Sequence, residues 1–131
     1  MNNIKKIKKI DKNFIKKQAN KITEEDLIRV GEKAKEIESK FAASGPLGRF
    51  IEDVKLLISI VKDYVSGKYR KIPYWAIASI AFALLYVLSP VDLIPDVIPV
   101  IGLTDDAAVI AVCLLLVEQE LQEYKEWKTN V

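Results

Sequence analysis

Residues 72–91 read IPYWAIASIAFALLYVLSPV and contain no charged side chain. As an α-helix, this stretch of 20 residues extends for roughly 30 Å, about the thickness of the hydrocarbon core of a bilayer. Pro73 suits the first turn of a helix, and Tyr74 and Trp75 lie where aromatic side chains anchor at a headgroup layer. The stretch therefore predicts a transmembrane helix, which Pro90 ends near Ser89. The alternative is the core helix of a helical bundle.

A second apolar stretch, AAVIAVCLLLV, covers residues 107–117 and is too short to cross a bilayer alone. Extending it back to Val97 would bring Asp105 and Asp106 into the span, and each carboxylate costs roughly 2.5–3.5 kcal/mol at the bilayer centre. A re-entrant or interfacial helix therefore fits this stretch better than a second crossing. The two stretches together predict an apolar helical hairpin.

The linker of this hairpin, residues 89–106, reads SPVDLIPDVIPVIGLTDD and holds three prolines and four aspartates. The prolines exclude a long helix. Each aspartate has a structural interpretation: Asp92 completes a capping box, Asp96 caps a turn, and Asp105 and Asp106 follow Thr104 in the first turn of the next helix. Alternatively, the four carboxylates converge to bind Mg²⁺, Ca²⁺ or Mn²⁺, or to relay protons.

This linker and the apolar residues on both sides of it resemble the signature of the YkvA-like family over about residues 72–117. That family consists of small proteins classed as a domain of unknown function. The resemblance implies membrane association and supplies no biochemical activity. The positions that match the family's order are Ser89, Pro90, Asp92, Leu93, Pro95, Asp96, Pro99, Gly102, Asp105 and Asp106.

The first 21 residues carry eight lysines against Asp11, a net charge of +7. The apolar residues of this segment fall within one arc of a helical wheel, which predicts a basic amphipathic helix on a membrane surface or a partner helix. The alternative is a solvated, frayed terminus. The residues of that arc are Ile4, Ile7, Ile10, Phe14 and Ile15.

Residues 22–71 predict a pair of amphipathic helices that cover each other's apolar faces. The first begins at a capping box formed by Thr23 and Asp26, with Ile22 and Leu27 placed as a hydrophobic staple. Its apolar stripe is Leu27, Val30, Ala34, Ile37 and Phe41, and residues 44–46 (SGP) end it. The second helix is predicted over residues 47–65, with Gly67 as its stop.

Charge is sorted along the chain, because residues 22–71 carry a net +1 and residues 72–131 a net −6. Lys68, Arg70 and Lys71 stand just before the apolar stretch. By the positive-inside rule, that end of the stretch and the N-terminal half of the chain are expected on the cytoplasmic side.

The composition excludes several classes of enzyme. The 131 residues include no histidine and a single cysteine, Cys113. There is consequently no Ser-His-Asp triad, no HExxH zinc site, no internal disulfide and no CxxC redox pair. Cys113 lies inside an apolar helix, where a buried and inert thiol is expected. The sequence favours a role without catalysis.

Taken together, the sequence predicts one compact all-α domain: a basic segment (1–21), an amphipathic helix pair (22–71) and the apolar hairpin with an acidic C-terminal end (72–131). The predicted function is interaction or scaffolding at the cytoplasmic membrane. The alternatives are a soluble bundle with residues 72–117 as its core, which would place the chain in the cytoplasm, and the aspartate ion site. Lipid is the expected partner, self-association through the apolar helices is a second possibility, and nucleic acid is disfavoured because Phe14 is the only aromatic residue of the lysine-rich segment.

Overall fold

The computed structural model describes residues 11–43, 48–88 and 105–130. Within these ranges the regular structure is entirely helical, which confirms the predicted all-α class. The helices of the described part are α1 (Lys12–Ala19), α2 (Glu24–Glu32), α3 (Ala34–Ala43), α4 (Ile51–Ser66), α5 (Tyr74–Leu88), α6 (Asp105–Leu116) and α7 (Glu118–Thr129).

Helix α5 lies at the centre of the structure and packs against α1, α2, α3, α4 and α6. Every residue from Ala76 to Val87 is buried, so α5 has no solvent-facing side over that length. A helix that is apolar on all faces must be enclosed by apolar groups. Five other helices provide that enclosure here, which matches the alternative interpretation of the stretch as a core helix.

A transmembrane helix over residues 72–91 is not supported. Helix α5 contains 15 residues, a length of about 22 Å, against the roughly 30 Å of a hydrocarbon core. Among the helices of the described ranges, none combines the length and the apolar character that a membrane crossing requires.

Helix α1 uses its apolar stripe to pack against α5 and α6. The carboxylate of Asp11 accepts a hydrogen bond from the backbone N–H of Phe14 (2.9 Å) and so caps the first turn. Phe14 and Ile15 are buried, as the helical arc predicts, and the Phe14 and Phe82 rings pack in a T-shaped arrangement with their centres 5.9 Å apart. The other members of the arc, Ile4, Ile7 and Ile10, lie outside the described residues.

The predicted capping box of α2 is confirmed. Thr23 Oγ1 accepts from the backbone N–H of Asp26 at 3.3 Å, and Asp26 Oδ2 accepts from the backbone N–H of Thr23 at 2.9 Å. Every member of the predicted stripe is buried, namely Leu27, Val30, Ala34, Ile37 and Phe41.

The helix predicted to begin at Thr23 is divided in the structure, and the helical C-terminal part of the chain is divided as well. The first breaks at Lys33, between α2 and α3, two residues after the weak helix former Gly31. The last breaks at Val117, between α6 and α7, where the apolar sequence gives way to a charged one. Helical hydrogen bonds continue across both breaks, as in Ile37 N–H to Lys33 O and Leu121 N–H to Val117 O (both 2.9 Å). The breaks are therefore local irregularities that leave the apolar stripe in phase.

Helix α4 ends at Gly67, as predicted from the sequence. Gly67 adopts a left-handed conformation with φ of 86°, which glycine reaches without the steric penalty of a side chain. Its N–H donates to the carbonyl of Tyr64 at 3.1 Å. The turn leads into a short connection whose Tyr69 and Ile72 are buried and whose Lys68, Arg70 and Lys71 are exposed.

The enclosure of α5 leads to a paired stability prediction. Leu84→Ala removes a fully buried side chain of α5 and should lower the free energy of unfolding by about 2–5 kcal/mol. Leu115→Ala is the matched control, because Leu115 is 62% exposed on α6 and a surface change of this kind should stay within about 0.5 kcal/mol. Urea unfolding followed by circular dichroism measures both values. Equal losses in the two variants would contradict the central position of α5.

Candidate functional site

The sequence places the candidate site in the linker between α5 and α6, and most of it lies outside the described residues. This holds for Ser89, Pro90, Asp92, Leu93, Pro95, Asp96, Pro99 and Gly102. Asp105 and Asp106 open α6, and their side chains are also outside the described part. The proposed convergence of the four aspartates therefore stays a prediction. In the ranges that are described, no group of three or more histidine, cysteine, aspartate or glutamate side chains could hold a metal ion.

Lys40 of α3 reaches the end of α5 from which this linker starts. Its ammonium donates a hydrogen bond to the backbone carbonyl of Val87, in the last turn of α5. The last carbonyls of a helix lack partners within the helix and carry partial negative charge, so a lysine is favourable there. The two residues are 47 positions apart in sequence, and no local pattern predicts the contact.

A second polar cluster, which we call the α4–α7 clasp, consists of Ser59, Asp63, Tyr124 and Lys128. Tyr124 Oη donates to Asp63 Oδ2 at 2.6 Å and lies 2.6 Å from Ser59 Oγ. Because the single phenolic proton goes to Asp63, Ser59 is the donor in the second contact. Lys128 Nζ donates to Ser59 Oγ at 2.9 Å, to Tyr124 Oη at 3.2 Å and to Asp63 Oδ2 at 3.3 Å.

Two aromatic rings pack against the Tyr124 ring of the clasp. The centre of the Tyr124 ring lies 5.0 Å from that of Tyr69 and 5.7 Å from that of Trp127, and the centres of the Tyr69 and Trp127 rings are 5.0 Å apart. These rings come from α7 and from the connection after α4. Such ring contacts are favourable beyond their buried area.

The surroundings of the clasp favour the protonated forms of Tyr124 and Lys128. Burial and the hydrogen bond to Asp63 raise the pKa of Tyr124, against smaller opposing effects of Ser59 and Lys128. The hydrogen bond to Tyr124 raises the pKa of Lys128. A neutral tyrosine and a charged lysine both donate to one oxygen of Asp63, Oδ2. The clasp therefore fastens α7 to α4.

The sequence analysis missed this cluster because its members lie on helices distant in sequence. Asp63 and Tyr124 are 61 residues apart. The one available signal was the polar pair Ser59 and Asp63, four residues apart on α4, which puts both side chains on one face of that helix.

The hairpin interior holds one further group of chemical interest, Cys113 of α6. The thiol is fully buried and makes a weak hydrogen bond of 3.7 Å to the carbonyl of Ser79 in α5. Burial raises the pKa of Cys113 to about 12. The predicted burial of Cys113 is therefore confirmed, and its inertness stays a prediction, since a thiol that stays protonated is a poor nucleophile.

The fold that these observations define is a small helical bundle organised around an apolar hairpin, and comparison with known proteins identifies its family. The model of the family described as "Protein of unknown function (DUF1232)" matches residues 76–112, from the start of the buried part of α5 through the linker into α6. The chain is also similar to the uncharacterized membrane protein YkvA of Bacillus subtilis (strain 168), with 32% identity over 78 residues. That alignment covers 60% of this chain and 74% of the relative.

The chain therefore belongs to this YkvA-like family of unknown function, as the linker motif predicts. No solved structure matches the chain.

The clasp gives a prediction for stability. Tyr124→Phe leaves the half-buried carboxylate of Asp63 without one of its donors and should lower the free energy of unfolding by about 1–3 kcal/mol. Tyr64→Phe, at a half-buried position of α4 outside the clasp, removes the same atom and should change it by less than about 0.5 kcal/mol. Urea unfolding at neutral pH compares the two variants. A Tyr124→Phe variant as stable as the parent would show that the clasp adds nothing to the attachment of α7.

Burial of the Cys113 thiol predicts a pH dependence. Its pKa is about 12 in the folded chain against an ordinary 9.0, so between these values the unfolded chain loses a proton that the folded chain keeps. Stability therefore falls as pH rises through this window, with a limiting slope of about 1.4 kcal/mol per pH unit. Cys113→Ala should show a shallower decline between pH 8 and 10.5 in urea unfolding. The other groups whose pKa is raised by folding, Tyr69, Tyr74, Tyr124 and Lys128, are present in both chains. Parallel curves would therefore contradict the raised pKa of Cys113.

Proposed function

We propose that the protein acts at the surface of the cytoplasmic membrane, in an interaction or scaffolding role, with its N-terminal half on the cytoplasmic side. The observation that carries the proposal is the outward direction of the lysines of α1. The opposite, apolar side of that helix is committed to α5 and α6, so Lys12, Lys16, Lys17 and the following Lys21 are all exposed.

The positive charge of these exposed lysines suits the anionic inner leaflet of a bacterial membrane. A lysine close to an anionic leaflet contributes about 1 kcal/mol of attraction, and the effect falls off within a Debye length. Several lysines on one rigidly packed helix therefore supply a useful share of membrane affinity without any crossing helix. The kinship with a membrane protein agrees with this location.

A second candidate is favoured by the burial of α5. With Ala76–Val87 enclosed by other helices, the described residues form a bundle that needs no bilayer to cover its central helix. In that case the chain would function in the cytoplasm, with the hairpin as its core. Self-association through the apolar helices and the aspartate ion site stay predictions alongside it.

Fractionation of cells that express the full chain without a tag tests the proposal. We expect the protein in the membrane pellet after lysis without detergent, and we expect high salt and alkaline carbonate to release it. Lys12→Gln/Lys16→Gln/Lys17→Gln should shift most of it to the supernatant. The matched control, Lys35→Gln/Lys55→Gln/Lys62→Gln, removes three exposed lysines from other helices and should leave the pellet unchanged.

Two results would overturn this proposal. Recovery of the parent chain in the supernatant would favour the bundle that works away from the membrane. Resistance to carbonate would instead favour a hairpin embedded in the bilayer.

A further inference from the structure

Exposed aromatic side chains and positive charges meet at the end of the structure where α4 ends and α5 begins. We call this surface the basic-aromatic end. Trp75 and Tyr74, in the first turn of α5, are 41% and 44% exposed, although large aromatic side chains are usually buried. The members of the surface are Lys16, Tyr64, Val65, Lys68, Arg70, Lys71, Tyr74 and Trp75.

Each side of this surface carries a cation placed over an aromatic ring. Lys16 Nζ lies 5.6 Å from the centre of the Trp75 ring, and the Arg70 guanidinium lies 4.6 Å from that of Tyr64. Arg70 Nε also donates to the carbonyl of Tyr64 at 2.6 Å, which fixes its position. Tyr74 stands with these two pairs, and its Oη donates to the carbonyl of Ile22 at 2.8 Å, so its ring is held while a large part of it stays exposed.

Acidic groups border the surface on one edge. Burial raises the pKa of Tyr74, and Tyr64 and the nearby carboxylates of Glu24 and Asp26, at the start of α2, raise it further. Asp26 is engaged with Arg29 at 3.2 Å and with the Thr23 cap. The connection from Lys68 to Lys71 carries three cations and no acid, so the exposed connection is distinctly positive.

We propose that the basic-aromatic end is the part of the protein that enters the headgroup layer of an anionic phospholipid bilayer. This inference rests on the proposed function and adds the contact surface and the lipid chemistry. The Trp75 and Tyr74 side chains occupy the interface between headgroups and acyl chains, where their apolar bodies and polar tips are both satisfied. Lys68 and Lys71, beside them, bind the lipid phosphates.

The ring geometry favours a bilayer over a nucleic acid. Bases bind to aromatic side chains by stacking on an open ring face. Here Lys16 lies over the Trp75 ring and Arg70 over the Tyr64 ring. Insertion into a headgroup layer instead uses the exposed body of the ring, and it leaves the cations beside the phosphates.

Trp75 and Trp127 are the two tryptophans of the chain, which allows a direct fluorescence test. The full chain with Trp127→Phe reports from Trp75, and the chain with Trp75→Phe reports from Trp127 in the aromatic cluster near the clasp. With vesicles of phosphatidylethanolamine and phosphatidylglycerol that carry brominated acyl chains, we expect a blue shift and quenching of Trp75 and no change at Trp127. Quenching of Trp127 alone, or of both equally, would overturn the proposed surface.

A charge-matched pair tests the lysines. Lys68→Gln/Lys71→Gln should weaken partitioning onto these anionic vesicles by about thirtyfold. Lys35→Gln/Lys55→Gln removes the same two charges from exposed positions of α3 and α4 and should weaken it by less than about threefold. Phosphatidylcholine vesicles should bind the parent chain weakly. Equal losses in the two variants would show that net charge, and not this surface, governs binding.

These outcomes separate the inference from the proposed function. If the parent chain binds anionic vesicles while Trp75 is unaffected and the matched variants behave alike, the inference fails and membrane attachment stands. If the parent chain binds no vesicle, both fail. Binding of a DNA or RNA duplex that depends on Lys68 and Lys71, without vesicle binding, would replace the bilayer as the partner.

Discussion

The structure depends on the exclusion of water from a single helix. From Ala76 to Val87, α5 offers no charged group and no apolar-polar division of its surface, so any face left open would expose apolar area. Each buried methylene is worth about 0.8 kcal/mol, so a helix of this composition stays covered on every side. Alanines at positions 76, 78, 81 and 83 leave room for neighbouring helices to approach closely. The other helices are arranged by this requirement.

The polar side chains of the described residues are placed so that this packing leaves none of them buried and unpaired. In the described part of the chain, no buried side-chain nitrogen or oxygen lacks a hydrogen-bond partner. Ser79, in the middle of α5, donates to the carbonyl of Trp75 at 2.7 Å, one turn back along its own helix. The clasp pairs polar groups of two helices, because the Tyr124 hydroxyl contacts Ser59 and Asp63 of α4. Satisfying such groups matters, since each unpaired one costs about 1–3 kcal/mol.

Local sequence signals predicted the helices well because their physical causes are local. The Thr23 capping box, the stop at Gly67 and the stripe from Leu27 to Phe41 depend on residues within a few positions of each other, and all three are present in the structure. The membrane-spanning interpretation of residues 72–91 was not supported. Hydropathy measures how strongly a helix avoids water, and it does not distinguish between lipid chains and apolar neighbouring helices as the surroundings of that helix. The choice depends on the amphipathic helices that surround α5.

For the candidate site, the sequence predicted the family but not the contacts between helices. The linker motif identifies the family from sequence alone, because the order of its prolines and aspartates is specific. The contacts of Lys40 with Val87 and of Asp63 with Tyr124 join residues 47 and 61 positions apart, and only the packing of the bundle determines them. Trp75 was expected to anchor at a headgroup layer, and its side chain is exposed in the bundle. Its pairing with Lys16 depends on the docking of α1, which a helical wheel does not specify.

The burial of Cys113 has a practical consequence for work on this family. The chain's single thiol is fully covered and protonated at neutral pH, so reagents that modify cysteine find no accessible target on the folded protein. A cysteine introduced at an exposed position, such as 35 or 68, would therefore be the one reactive thiol and could carry a spin label or fluorophore without removal of the natural residue. Any reaction at Cys113 itself would report an opening of the hairpin between α5 and α6, which makes the native thiol an internal probe of the core's integrity.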